Sequence, residues 1–191
     1  MEELSPSSSC ELGRREYWNE FYTTELENFE DYGDIGDIWF GKKNLARIVE
    51  WFQNHGIDKC LPVLDVGCGN GMTLICLVLD FLKEDVKSSS MFCKREFHVI
   101  IDKGTYDAIC LDVEHAEKKR KQYINQILNL LSSNGYFLLF SCNWTKEELL
   151  LHFKDFMLQD EIEVPSIGFG GKVGQTVTAL VMKKHVSKHI S

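Results

Sequence analysis

The chain has 191 residues, of which 44% are hydrophobic and 26% charged, enough apolar material for one packed domain and too much for a disordered chain. Its net charge of −8 excludes the basic footprint of a generic nucleic-acid binder; it suits a basic protein partner, although a solvated acidic surface is the commoner origin of such a balance. No run approaches the roughly 18 to 20 apolar residues of a membrane span, and the polar stretch Met1 to Glu11 holds no signal-peptide core, so no membrane role and no secretion are expected.

Seven cysteines, an odd number, form no Cys-x-x-Cys pair, and no His cluster has zinc-ligand spacing, so no metal site is expected. Cys76, Cys110 and Cys142 sit in apolar runs, where a reduced cysteine acts as a small buried hydrophobe. A reducing compartment follows, cytoplasmic and also nuclear, and the Asn143-Trp144-Thr145 sequon is discounted.

In chain order, residues 1–13 read as a disordered tail, 14–184 as a single domain and 185–191 as a second tail. Arg14 to Phe29 forms a weakly amphipathic helix presenting Tyr17, Phe21 and Phe29, and Asp31 to Gly41 is a turn-rich loop. Lys42 to Asn54 is a helix burying Leu45, Ile48, Val49 and Phe52 on one face, with Gly56 ending it at the C′ position. Leu61 to Val66 is a strand, followed by Gly67-Cys68-Gly69-Asn70-Gly71 and an apolar helix, Met72 to Leu79. Phe97 to Ile101 is a buried strand and Glu114 to Leu131 a long helix carrying Tyr123, Ile127, Leu130 and Leu131 on one side. The Asn134-Gly135 turn precedes a strand from Tyr136 to Phe140, and Thr145 to Glu148 is a capping box opening the helix Glu147 to Phe156. Strands near Glu161 to Val164 and Thr176 to Met182, joined by the glycine-rich loop Gly168 to Gly174, form an antiparallel pair at one edge. The alternation predicts an α/β parallel sheet with helices on both faces.

The turn after Val63-Leu64-Asp65-Val66 carries the most information. Glycines let a backbone approach a ligand closely, and the next helix start offers free N–H groups. A dinucleotide fingerprint wants Gly-x-Gly-x-x-Gly, whereas here the third glycine comes one residue early and Asp65 stands two positions before the first. That arrangement favours S-adenosylmethionine, whose ammonium end needs a carboxylate, over a purely structural strand-to-helix turn. Gly168 to Lys172 lacks phosphate-loop spacing and reads as a hairpin loop. His98, inside a strand, reads as a core histidine.

A resemblance rests on five strings that occur in order: Tyr17-Trp18-Asn19-Glu20-Phe21-Tyr22, Trp39-Phe40-Gly41, Asp65 to Gly71, Ile101 to Ile109, and Ser141 to Leu149. Together they resemble the eukaryotic elongation factor 1-alpha lysine methyltransferases of the methyltransferase-like protein 10 group, within the class I S-adenosylmethionine-dependent superfamily. The resemblance spans most of residues 14–184. It implies a Rossmann-like fold that methylates a lysine of the translation factor, with S-adenosyl-L-methionine as donor; a monomer is expected.

By that resemblance Asp65, Gly67 and Gly69 hold the methionine end of the cofactor, Asp80 and Phe81 flank the adenine, and Lys103 lies beside the cofactor. Trp18 and Tyr22 close over it, with ordinary helix packing as the rival reading, and aromatic faces suit a sulfonium. Asn143 and Trp144 follow a strand end and line the lysine channel, unless Asn143 merely starts the next helix. Methyl transfer is an in-line displacement that needs positioning and a deprotonated lysine, which a desolvated channel favours without a dedicated base.

The chain departs from its relatives in one respect. They carry a strand, a helix and a further strand between the glycine turn and the acidic residue at the adenine. Here Gly71 and Asp80 are nine residues apart. Roughly 35 residues are missing on the size of such a unit, and with them the acid that grips the ribose. Asp80 then simply extends the preceding helix as an alternative to binding adenine. Two rival functions follow: a non-catalytic relative that keeps a protein-binding surface, and a nicotinamide enzyme, which the glycine spacing and the lack of an acid about 20 positions on disfavour.

Overall fold

A computed structural model describes residues 10–82, 96–112, 114–165, 167–169, 172–174 and 177–185; for residues 80–82, 167–169 and 172–174 it describes the backbone alone. A 3-10 turn, Glu11–Gly13, leads into α1 (Arg15–Tyr32), then α2 (Gly41–Asn54), β1 (Val63–Val66) and α3 (Met72–Cys76), which continues as a π-helical turn, Leu77–Leu82. There follow β2 (Phe97–Lys103), α4 (Thr105–Cys110), α5 (Ala116–Leu130), β3 (Leu131–Ser141), α6 (Lys146–His152) and β4 (Phe156–Glu161). A small hairpin of β5 (Ile167–Phe169) and β6 (Lys172–Gly174) precedes β7 (Thr178–Lys184). The 3-10 turn corrects the expectation of a structureless segment through residue 13, because its backbone closes a Gly13 N–H to Cys10 carbonyl bond.

The main sheet runs β1-β2-β3-β7-β4. β1, β2 and β3 are parallel, and β7 is antiparallel to both β3 and β4. The expected α/β sheet with helices on both faces is what forms. Successive residues of the central strands go to opposite cores, so Val99, Ile101, Leu138, Phe140, Ala179 and Val181 pack with Ile48, Trp51 and Phe52 of α2. Ile100, Phe137, Leu139, Leu180 and Met182 pack on the other side with Tyr106, Tyr123, Ile127 and Phe153. Strands buried on both faces read as continuous apolar runs, which is why they were legible. β1 ends the sheet order, so among the described residues one of its edges has no strand beside it.

Local signals held where the chemistry is local. Leu45, Ile48, Val49 and Phe52 are all buried on α2, and Gly56 takes φ +57° just after its last turn. Thr145 accepts a bond from the Glu148 backbone N–H at 3.3 Å and its own N–H donates to Glu148 Oε2 at 2.9 Å. Thr145→Ala is therefore expected to cost about 1 kcal/mol, read as a lower urea midpoint at unchanged slope.

Three elements and one residue differ from expectation. The strand expected near Glu161 to Val164 is Phe156–Glu161, and the helix before it stops at His152. Phe153 and Phe156 are both buried, and a turn between them lets both reach the same core. β4 is an edge strand whose residues from Met157 to Asp160 are exposed, so it lacks an apolar alternation to reveal it. Asn134-Gly135 is not a turn but part of an irregularity within β3: Phe97 pairs with Leu131 while Val99 already pairs with Tyr136. Cys142 is exposed rather than a core hydrophobe. No helix among the described residues is long and apolar enough to cross a membrane.

Candidate functional site

Because β1, β2 and β3 are parallel, their C-terminal ends lie side by side, with Val66 opposite Asp102 and Asp102 opposite Leu139. The three turns that leave them, at Gly67, Gly104 and Cys142, meet around one cavity of about 760 Å³. That is within the roughly 300 to 1,000 Å³ of small-molecule sites, which in open α/β sheets lie beyond the strand C-termini. α1 and the loop after it roof the cavity with Trp18, Tyr22, Trp39 and Phe40. Trp18 is fixed by its indole N–H donating to the Leu12 carbonyl at 2.7 Å and by edge packing on Trp39 at 5.0 Å.

Gly67 and Gly69 have φ of +64° and +56°, which L side chains rarely adopt, and both are closely covered. A Cβ at Gly67 would run into Thr105, whose hydroxyl donates to the Val66 carbonyl at 2.7 Å; one at Gly69 would meet the Tyr22 hydroxyl. Asn70 ties the turn to the roof by donating to the carbonyls of Ile35 and Asp37, both at 3.0 Å.

Asp65 lies behind this turn, 8% exposed, and its Oδ2 has no hydrogen-bond partner. Burial pushes its carboxyl up to about 6; nearby Lys103 and, less strongly, Thr73 pull the other way without closing a bond to that oxygen. A buried carboxylate lacking a partner is costly unless a cation completes it. Burial likewise lowers the Lys103 ammonium, with Asp65 and then Asp102 opposing. Desolvation, then Glu25, raises the Tyr22 hydroxyl to about 12. Asp102 is fully buried and accepts from the Thr105 N–H at 2.8 Å, the Tyr106 N–H and the Tyr123 hydroxyl, which anchors the start of α4; burial lifts it to about 7.

Of the residues singled out from sequence, Trp18, Tyr22, Gly67, Gly69, Lys103 and Asn143 line the cavity, whereas Asp65, two residues before the turn, is buried and is not a lining residue. Trp144 does not line it. Its ring meets His152 edge-on at 4.6 Å with Arg120 over its face at 5.7 Å, in the cluster between α5 and α6. Asp80 and Phe81 continue the helix after α3, and their side chains lie outside the described ones. His98 is partly buried against Tyr136, away from the cavity.

Sequence reading missed Asp107. This buried carboxylate of α4 accepts from Ser141 Oγ at 2.5 Å and the Cys142 N–H at 2.8 Å, while Ser141 Oγ accepts from the Asn143 and Trp144 N–H groups. It thereby holds the turn that brings Asn143 to the cavity. Its partners are 34 residues or more away in the chain, so no local pattern announces it. Among the described residues no group of three His, Cys, Asp or Glu side chains is placed to hold a metal.

The donor set fits S-adenosyl-L-methionine: a buried carboxylate with one oxygen free of hydrogen bonds for the ammonium, a glycine turn for close backbone approach, and aromatic faces for the sulfonium. A parallel sheet opening onto this site is that of a Rossmann-like class I methyltransferase. No protein-family model matches the chain. EEF1A lysine methyltransferase 2 of Mus musculus is 40% identical over 204 residues, covering 91% of this chain and 84% of that protein. The Homo sapiens protein of the same name is 39% identical, with 91% and 86% covered, and that of Danio rerio 36%, with 96% and 91%. The chain belongs to the EEF1A lysine methyltransferase 2 family. A solved TehB-like methyltransferase of Corynebacterium glutamicum aligns at a TM-score of 0.47 and 13% identity, over 90% of this chain and 100% of that one.

The mouse alignment spans 204 positions, yet 91% of 191 residues supplies about 174, so about 30 positions of the relative face no residue here. That is close to the size of the strand-helix-strand unit expected after the glycine turn.

Proposed function

We propose that this chain transfers a methyl group from S-adenosyl-L-methionine to a lysine side chain of translation elongation factor 1-alpha. The observation that carries this is Asp65, a buried carboxylate with an unpaired oxygen beneath the glycine turn of a cavity roofed by Trp18 and Tyr22. The relatives are named for that activity on that factor.

The cofactor supplies a methyl group on a sulfonium, ready for displacement. Asp65 would hold the ammonium, the backbone at Gly67 and Gly69 would take the rest of the methionine end, and Trp18 and Tyr22 would close over the cofactor. Lys103 stands near Asp65 and would lie beside the cofactor. Asn143, fixed by the Ser141–Asp107 network, flanks the incoming lysine, and the half-buried aromatic wall favours its neutral amine. Asp80 and Phe81 keep their assignment to adenine on the resemblance alone. None of the six described cysteines is joined in a disulfide, which supports the reading of a reducing location, cytoplasmic and nuclear.

Two measurements test the proposal. Calorimetric titration with S-adenosyl-L-methionine is expected to show one site, and incubation with labelled cofactor and purified elongation factor is expected to place label on one lysine. Cofactor binding without transfer would remove the substrate; no binding would remove the cofactor assignment itself.

A further inference from the structure

The net charge of this protein is concentrated in one place. Residues 16–41 hold eight of the chain's 29 carboxylates and none of its 21 lysines and arginines, so this stretch alone accounts for the net −8. It comprises α1 and the loop that returns to the cavity. Every residue from Leu26 to Ile35 is exposed. Leu26, Phe29 and Tyr32 follow one another at three-residue spacing and are 58%, 54% and 81% exposed; Ile35 continues the apolar surface at 45%. Glu27, Glu30, Asp31 and Asp34 surround them and form no ion pair among the described residues.

This arrangement does nothing for the helix that carries it. Glu30 and Asp31 sit in the last turn of α1, which has no basic residue, so they oppose the negative end of the helix dipole. α1 buries no residue fully. Its N-terminal half is held by Trp18, Phe21 and Trp39, while its C-terminal half projects past them.

We propose that the C-terminal half of α1 and the loop through Ile35 form the docking surface for the protein substrate, taking a basic patch with apolar contacts near the target lysine; this rests on the lysine-methylation reading above. The surface is continuous with the site, since Trp18 and Tyr22 at one end and Asp37 and Trp39 at the other line the cavity. Ten residues of helix place Tyr32 about 15 Å from Tyr22 along the axis, within the span of an ordinary interface. Charge complementarity selects the occupant. A second copy of this chain would bring the same carboxylates, and an anionic membrane or a nucleic acid would be repelled, whereas a cationic protein surface is steered in and discriminated. Phe29 and Tyr32 supply the aromatic anchors typical of such contacts.

Two variants of the full chain test the surface separately by charge and by shape: Glu27→Lys with Glu30→Lys and Asp31→Lys, and Phe29→Ala with Tyr32→Ala. Binding of purified elongation factor 1-alpha to each would be measured by interferometry at 50 and 200 mM salt. Titration with S-adenosyl-L-methionine controls for folding. None of the five side chains lines the cavity, so cofactor affinity is expected to stay at the wild-type value in both. Each variant is expected to bind the factor at least tenfold more weakly at low salt. The charge variant should also lose most of the wild-type salt dependence. Unchanged binding in both variants overturns the inference, as does loss of binding matched by equal loss of cofactor affinity. A wild-type chain that fails to bind the factor at either salt overturns it too. A wild-type dimer that the aromatic variant splits assigns the face to a second copy instead. If the wild type binds the factor through this surface yet transfers no methyl group, docking stands and the proposed activity falls.

Discussion

Asp65→Ala is expected to abolish measurable S-adenosyl-L-methionine binding while leaving the ligand-free protein folded and more stable at neutral pH. The two effects share one cause. Asp65 is 8% exposed with an unpaired Oδ2, so its charge is a burden in the empty site and, on the proposed cofactor assignment, the group that would hold the ammonium in the filled one. Removing one partner of a desolvated charge pair costs roughly 2 to 5 kcal/mol of affinity. The sign of the stability effect follows from its titration. A carboxyl raised from its ordinary 3.8 to about 6 on folding binds protons more tightly in the folded chain. The penalty is absent below about 3.8, grows as pH rises to about 6, and is constant above that, at about 3 kcal/mol. Asp65→Asn should recover part of that, seen as a higher Tm at pH 7.5 that vanishes near pH 4. In the wild type, cofactor affinity should fall as pH drops through about 6, and in the asparagine variant it should be weak and flat. Cofactor affinity equal to wild type in Asp65→Ala would sink the assignment of this turn.

Restoring a strand-helix-strand unit after Leu79 is expected to tighten S-adenosyl-L-methionine binding at least tenfold and to reduce aggregation. Among the described residues β1 is the last strand of the sheet, and Ile75, Val78 and Leu79 of the adjoining helix are 45%, 43% and 67% exposed. An uncovered strand edge beside exposed aliphatic side chains is a template for pairing with other chains. About 30 positions of the mouse relative have no residue here, close to the length of such a unit. Affinity should rise if, as the family resemblance implies, the returning strand brings a carboxylate to the ribose hydroxyls, a charge-assisted bond worth roughly 1.5 to 3 kcal/mol, where 1.4 is already tenfold. Light scattering during mild heating and side-by-side titration would read both effects. Equal affinity, equal turnover and equal scattering would show the unit to be dispensable.

Legibility in the sequence tracked distance along the chain. The glycine turn with Asp65, the buried face of α2 and the Thr145 to Glu148 capping box were visible because residues within four positions of one another make those structures. The doubly buried strands were visible for a related reason, since both faces demand apolar residues. Acidity was visible in the count, but not that it gathers on one helix whose last turns reach solvent, because an exposed and a buried amphipathic helix share a pattern. Trp144 was misplaced because only the packing of α6 against α5 turns its ring from the cavity towards His152 and Arg120. β4 was displaced because an exposed edge strand is selected by its pairing with β7, far along the chain, and not by its own composition.

By itself, then, the sequence determined the glycine turn, its carboxylate, and the alternation of strands and helices, all of which arise from short-range backbone preferences and side-chain periodicity. Tertiary structure alone decided the rest. It brought three strand ends together so that Gly67, Gly104 and Cys142 share one cavity, and it bound Asp107 to Ser141 across 34 residues to fix Asn143. It also left Asp65 without a hydrogen-bonding partner for one oxygen, a property set by what surrounds a buried charge and not by its neighbours in the chain.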